Sequence, residues 1–569
     1  MTRRHTSWGM LAAITLAACS SSSNDSSGAS APSPGGDFGI GGASNGAPQT
    51  AAAGSGNPVV APEQEEDLSY RAPVVSGRWV WTANPDTGKV AVVDAKSFSV
   101  RLADAGVAPT FLTALPAKAN ASSALVINTG SHDATLLTAG ATGAVTAVGP
   151  IPLQPDANAW QVSKTGKFAI AWTDSHSLTP DPTQGYQDIS VVDLRGAAPV
   201  ATRLVVGFLP SRVFINDAEK MAYVVANSGL TIIDLAASSG PQVVVERALS
   251  DDQHEDASTR DVSVLPDGSF ALIRRDGSPI VSFVDLRDTD SSRLPTPIMA
   301  LPGPVTDLDL APNSQSALAV VRGDTAASSS DSDNAGAGGD SAGAGNSSPA
   351  EIRSTLAILP IPGIFGSQPT FDTVAIDEVF GLVNIAPQGT QALLYTNAVA
   401  NSHITILDTA SGPHYTYRTV DVRGNVNEVF PSPDGAYAIA SLTAKDANGK
   451  PGFAAVPVAS DLPVRVQTTD APVFAVAQSS GPAARAVVTV SDGKANFAAY
   501  IVRMPELVVD QVKLPSRPLA GATGLVPDAG VAYIAEEHPQ GRITFIDLET
   551  GVPRTITGFE IAAKVTNGN

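Results

Sequence analysis

A tight-turn signature returns along this chain at near-constant spacing: Pro266-Asp267-Gly268, Pro312-Asn313-Ser314, Pro387-Gln388-Gly389, Pro433-Asp434-Gly435 and Pro527-Asp528-Ala529. The first two copies start 46 residues apart, as do the third and fourth; the last gap of 94 spans two periods. The excess in the second gap is a Ser/Gly/Asp-rich run from Asp324 to Ala350. Weaker copies precede the series at Lys164-Thr165-Gly166 and Asn216-Asp217-Ala218. Proline pre-sets the first central torsion of such a turn, and Asp, Asn or Gly serve the next. A period of this length is the mark of a propeller or another repeat architecture.

Between the turns the apolar residues alternate in short β-branched runs with no sustained helical period, which predicts strands. One period reads Val213-Phe214-Ile215, a turn, Met221 to Val225, Asn227-Ser228-Gly229, Leu230 to Asp234, then Gln242 to Val245. Four strands per period are the content of one propeller blade. Third strands that end in aspartate recur at Asp94, Asp193, Asp285, Asp408 and Asp547. The expected fold is therefore an all-β propeller of four-stranded blades. About nine units are complete, and residues 78–103 add three strands without an innermost one. Residues 558–565 are expected to return and supply it, which would close the ring by joining the two ends. Nine to ten units leave two arrangements open, one wide ring or two smaller propellers in tandem. Tyr223-Val224-Val225-Ala226-Asn227, Tyr395-Thr396-Asn397 and Trp81-Thr82-Ala83-Asn84, each followed by a turn and a strand ending in Asp, resemble YVTN-type (WD-like) propeller repeats. That resemblance implies the fold and leaves function open, because such repeats serve lactone hydrolases, quinoprotein-type dehydrogenase subunits and surface proteins alike.

The N-terminus carries a separate message. Arg3 and Arg4 precede an apolar stretch, Trp8 to Ala18, too short to span a bilayer, and Leu16-Ala17-Ala18 lead into Cys19. Leu-Ala-Ala-Cys resembles the lipobox of bacterial lipoproteins. The resemblance implies a signal peptide over residues 1–19, lipidation of Cys19 and a lipid anchor in the cell envelope. Ser20 is compatible in that family with passage to the outer membrane, on its periplasmic or its surface side. Residues 20–69 are rich in Ser, Gly, Ala and Pro, a composition that reads as a disordered tether. Its root-mean-square span as a flexible coil is about 40 Å. Residues 70–569 are assigned to the propeller, with 324–350 as a low-complexity loop insertion.

Cys19 is the sole cysteine, so the mature body has neither disulfides nor thiolate metal sites. A formal net charge of -20 argues against nucleic acid, whose phosphates need clustered Lys and Arg. No phosphate loop, zinc-protease motif or dinucleotide fingerprint is present, and no cofactor is evident from the sequence. Trp160 and Trp172 lie on predicted strands and are assigned to the core.

In a propeller the second-to-third connection and the connection to the next blade emerge on one face. The long loops fall there: 174–187, 324–350, 445–450, 536–540 and the inter-blade run Asp251-Asp252-Gln253-His254-Glu255-Asp256. His132, His176, His254, His403 and His538 map to the same face. His254 with Asp251, Asp252, Glu255 and Asp256 forms the candidate binding or metal site; its carboxylates suit calcium or another divalent ion. The expected function is a binding module that presents this acidic face to a protein or glycan partner. The alternatives are a lactonase-like propeller hydrolase or a metal-dependent enzyme with its site at the channel mouth, and a structural or adhesion component of the envelope.

Overall fold

The computed structural model describes residues 73–567 apart from 119–120, 176–177, 179–182, 253, 323–353, 413, 445–448, 482 and 561–562. Cys19, the leader, the tether, His176 and the 324–350 insertion lie outside the described residues. The regular structure of the described chain is almost wholly strand, folded into ten antiparallel sheets. Blades 1 to 10 cover residues 74–104, 109–152, 159–205, 210–247, 260–300, 305–375, 382–421, 425–468, 473–513 and 518–567. In each, strands pair in sequence order. Second and third strands are the most buried, and fourth strands are the most open.

The sheets form one closed ring. Apolar side chains of successive blades interlock in ten clusters, one for each boundary, and the last joins blade 10 to blade 1 through Tyr533 and Phe545 against Val80 and Val93. Burying each Val, Leu or Ile in such a seam contributes roughly 1.5–3 kcal/mol. The size argument for splitting a long chain does not apply, because each boundary is its own small core and the ring grows by adding boundaries.

Closure differs from the expectation. Blade 1 owns its innermost strand, Val74–Ser76, which pairs with Trp79–Trp81. The returning C-terminus, Lys564–Asn567, pairs instead with Pro553–Thr557 at the outer edge of blade 10 and makes it five-stranded. The ring thus closes by face-to-face packing of two complete blades. Three residues sufficed for the inner strand of blade 1, too short a run to stand out as a strand in sequence.

The recurring turns all join first to second strands, on one face of the disc, and they touch one another. Tyr223 Oη of blade 4 donates to Gly268 O of blade 5 at 3.0 Å, and Gln388 Nε2 of blade 7 donates to Asp434 O of blade 8 at 2.8 Å. Gly268 has φ +75, and a Cβ there would sit 2.2 Å from Tyr223 Oη, so glycine is required twice over. The recurring third-strand aspartates cap the next turn on the same face. Asp94, Asp193, Asp285, Asp408 and Asp547 each accept from the backbone N–H two residues on, at 2.9–3.0 Å.

Candidate functional site

Strands alternate in direction, so second-to-third and blade-to-blade connections share the face opposite those turns. His132, His254, His403 and His538 lie there, as expected. The acidic run at 251–256 is divided by the structure. Glu255, its side chain 11% exposed, lies between Arg260 (2.8 Å) and Arg275, which ties the loop to the first and second strands of blade 5. Asp256 caps a short 3-10 helix, Ala257–Thr259, accepting from Ser258 N at 3.0 Å, and these bonds hold its carboxyl below the usual range. Asp252 accepts from His254 N at 2.8 Å, and His254 Nδ1 stands 3.7 Å from Asp252 Oδ1 with its ring 95% exposed. Asp251 is exposed. The loop therefore has an inner half that anchors it and an outer half, Asp251, Asp252 and His254, that meets solvent. No group of three or more His, Cys, Asp or Glu among the described residues is arranged to hold a metal ion.

Three other features share this face. His403 Nδ1 of blade 7 lies 3.1 Å from Glu378 Oε2 in the connection from blade 6, a part-exposed imidazole–carboxylate pair. A cleft of about 180 Å³ opens between blades 2 and 3, lined by Phe111, Asn128, His132, Asp156 and Leu178 among others. His132 and Asp156 both hold left-handed backbone there, at φ 54 and 61. Glu536, at the end of the second strand of blade 10, is buried; it accepts from Ser516 N at 2.7 Å and from Thr544, and burial pushes its carboxyl up.

Sequence reasoning missed a third set of residues, on the inner strands. The innermost strand of every blade has a free edge toward the axis, and its backbone groups need partners. Side chains from the adjacent blade supply them. Ser76 Oγ donates to Leu115 O (3.0 Å), Trp160 Nε1 to Phe111 O (3.2 Å) and Gln478 Nε2 to Phe430 O (2.8 Å). Trp172 is core as expected, whereas Trp160 is half-buried and serves as one of these stitches.

In blades 4 to 7 the stitches are charged. Arg212 of blade 4 donates to Asp261 of blade 5 at 2.7 Å. Asp307 of blade 6 accepts from Val383 N of blade 7 at 2.7 Å and from Leu308 N at 2.8 Å; Asp309 accepts from Ile385 N. Burial pushes the Asp307 carboxyl up to about 6, against the pull of its amide donors and of Arg274. Asp309, half-buried beside it, is raised as well, by burial and by Asp307 and Asp261. The signal in the sequence is the alternation Asp307-Leu308-Asp309-Leu310 in a strand whose neighbours alternate apolar residues.

The sequence matches no family model, and no curated protein matches it. Solved structures to which the chain is similar include a dihydro-heme d1 dehydrogenase, NirN, in complex with DHE (14% identity, TM-score 0.38, covering 67% of this chain and 72% of that one). Others are a eukaryotic initiation factor (12%, 0.43, 76% and 94%) and Kuenenia stuttgartiensis hydrazine synthase (16%, 0.31, 60% and 93%). The propeller assignment rests on the strand order and the ring of seams described above.

Proposed function

We propose that this β-propeller is a lipid-anchored binding module of the bacterial cell envelope, held through Cys19 and its tether, that presents its loop face to a protein or glycan partner. One observation carries the reading: the two faces use their acidic residues differently. On the turn face the recurring aspartates Asp94, Asp193, Asp285, Asp408 and Asp547 serve the fold as turn caps, and Asp217 pairs with Lys164 (3.1 Å). On the loop face Asp251, Asp252 and His254 project from an anchored loop into solvent. Rigid support under exposed polar groups is what a recognition loop needs. Acidic groups at such a rim set on-rate and specificity more than affinity.

The test places a photo-crosslinking side chain at Asp252 and, separately, at the exposed turn-face residue Ala218 in cells that make the full chain. One discrete adduct at position 252, absent at 218 and reduced at high salt, is the expected result. Equal labelling at both positions, or none, rejects the loop face as the binding surface. Cys19→Ala in the same cells should release the protein from the membrane fraction while the propeller remains folded.

A further inference from the structure

The inner seam between blades 5 and 7 brings together three carboxylates on two adjacent inner strands, Asp261 on Arg260–Val264 and Asp307 and Asp309 on Val305–Leu310. Asp307 is buried. Two guanidiniums face the group. Arg212, on the first strand of blade 4, is bound to Asp261 at 2.7 Å. Arg274, on the second strand of blade 5, already pairs with Asp276 at 2.6 Å. The strand on the other side, Leu382–Ile385 of blade 7, has no ionisable residue and offers only the N–H groups of Val383 and Ile385. Full ionisation would therefore bury more negative than positive charge against a neighbour that can answer with amides alone.

We propose that this seam is a proton-dependent lock on the ring: a proton held by the Asp307–Asp309 pair keeps blade 6 docked on blade 7, and its loss makes this boundary the first to open.

Two effects oppose each other on ionisation. An amide bonds a carboxylate more strongly than a carboxylic acid, which favours the charged form. Like charges two residues apart on one strand in a buried setting disfavour it more, and both carboxyls are accordingly raised above their ordinary range. A carboxyl raised in the folded state stabilises the fold when protonated. That contribution is complete below about pH 4, the ordinary carboxyl value, and is lost as pH rises through the folded value. For Asp307 the loss runs from about 4 to about 6, and the raised Asp309 carboxyl adds a loss of the same sign. Elsewhere the inner stitch of blade 3 onto blade 2, Trp160 Nε1 to Phe111 O, joins two strands, Ala159–Val162 and Pro109–Ala114, that have no ionisable residue. The same ring thus carries its own internal control.

The experiment is hydrogen–deuterium exchange of the intact protein between pH 5 and pH 8, with labelling times scaled for the intrinsic pH dependence of amide exchange. Protection of the peptide spanning 382–385 should fall about tenfold or more over that range, because a carboxyl that holds its proton about ten times more tightly in the docked seam than in the open one shifts their ratio by that factor as it ionises. Protection across 159–162 should stay constant. Asp309→Asn, which keeps an acceptor for Ile385 N and cannot ionise, should flatten the pH dependence of 382–385. Equal pH dependence of both segments in the wild-type protein overturns the proposal, as does an Asp309→Asn variant that keeps the wild-type profile. Should that variant fail to fold, the comparison of the two segments in the wild-type protein decides alone.

Discussion

The inner seams of blades 4 to 7 and of blades 9 to 1 solve one problem with different chemistry. Both must satisfy the free backbone edge that every innermost strand turns toward the axis. From blade 9 onward the work falls to neutral groups: Gln478 on Phe430 O, the Thr489–Thr523 hydroxyl pair at 3.2 Å, and Tyr533 Oη on Pro73 O at 2.8 Å. Between blades 4 and 7 it falls to Arg212, Asp261, Asp307 and Asp309. A neutral stitch contributes about 1 kcal/mol at any pH. An ionisable stitch has a strength that depends on its protons. The difference shows that ring closure in a repeat protein need not be uniform, and that one sector can respond to conditions the rest ignores.

The comparison breaks most visibly where the ring closes. Tyr533→Ala removes both a buried ring from the blade 10–blade 1 cluster and the hydroxyl bond to Pro73 O. It should cost about 3–5 kcal/mol, the range for truncating a large buried aromatic. Denaturant melts at pH 5 and pH 8 should show the same loss, because nothing in that bond titrates near neutrality. A loss that varied strongly with pH would erase the distinction between the sectors.

Arg212→Ala tests the charged sector with a smaller effect. Arg212 and Asp261 keep 21% and 11% of their side-chain surface, so the pair is only partly screened. Removing the cation should cost about 2–3 kcal/mol, below the value for a fully buried pair. Unlike the Tyr533 change, the loss should grow from pH 5 to pH 8, as Asp307 and Asp309 ionise with one counter-charge fewer. A pH-independent loss would mean that Arg212 acts by packing alone.

How much of this could be read from the chain depends on whether a feature repeats. The turn of Pro266-Asp267-Gly268 and the strand-ending aspartates each recur in five blades, so the sequence displays their spacing several times over, and the structure puts every one on the same face. Asp307 and Asp309 occur in one blade only, and their partners are amides of the next blade, which no side-chain pattern marks. The innermost strand Val74–Ser76 was hidden by its length, and the outer position of Lys564–Asn567 because edge pairing leaves no apolar signature. In the 251–256 loop the sequence shows six polar residues in a row; only packing against Arg260 and Arg275 separates the anchoring Glu255 from the exposed His254.

A finer cut isolates the hydrogen bond at ring closure from the packing. Tyr533→Phe keeps the ring in place and removes only the donor to Pro73 O. About 1 kcal/mol should be lost, and Pro73 O is left without that donor. The thermal midpoint should fall by the same amount at pH 5 and pH 8. A loss as large as that of Tyr533→Ala would assign the closure to the hydrogen bond and not to the apolar seam.

The smallest effect belongs to the loop face, where polar groups are held by neither kind of stitch. Changing Asp252 and His254 together to alanine removes an exposed carboxylate and a 95% exposed imidazole whose contacts lie within the loop. Surface changes of this kind stay within about 0.5 kcal/mol, and Glu255 remains to anchor the loop through Arg260 and Arg275. Stability should therefore be unchanged at both pH values, and the wild-type pH profile of the 382–385 amides should survive intact. Binding should not survive: adducts from a crosslinker kept at the neighbouring exposed Asp251 should weaken, because the charge that draws a basic partner is reduced while the supporting loop stays in place. Undiminished adducts would move the recognition surface elsewhere on the loop face, with the His403–Glu378 pair and the cleft between blades 2 and 3 as the next positions to probe. A clear loss of stability would show instead that the outer half of the loop belongs to the fold, and the contrast between engaged and available polar groups would fail at its simplest point.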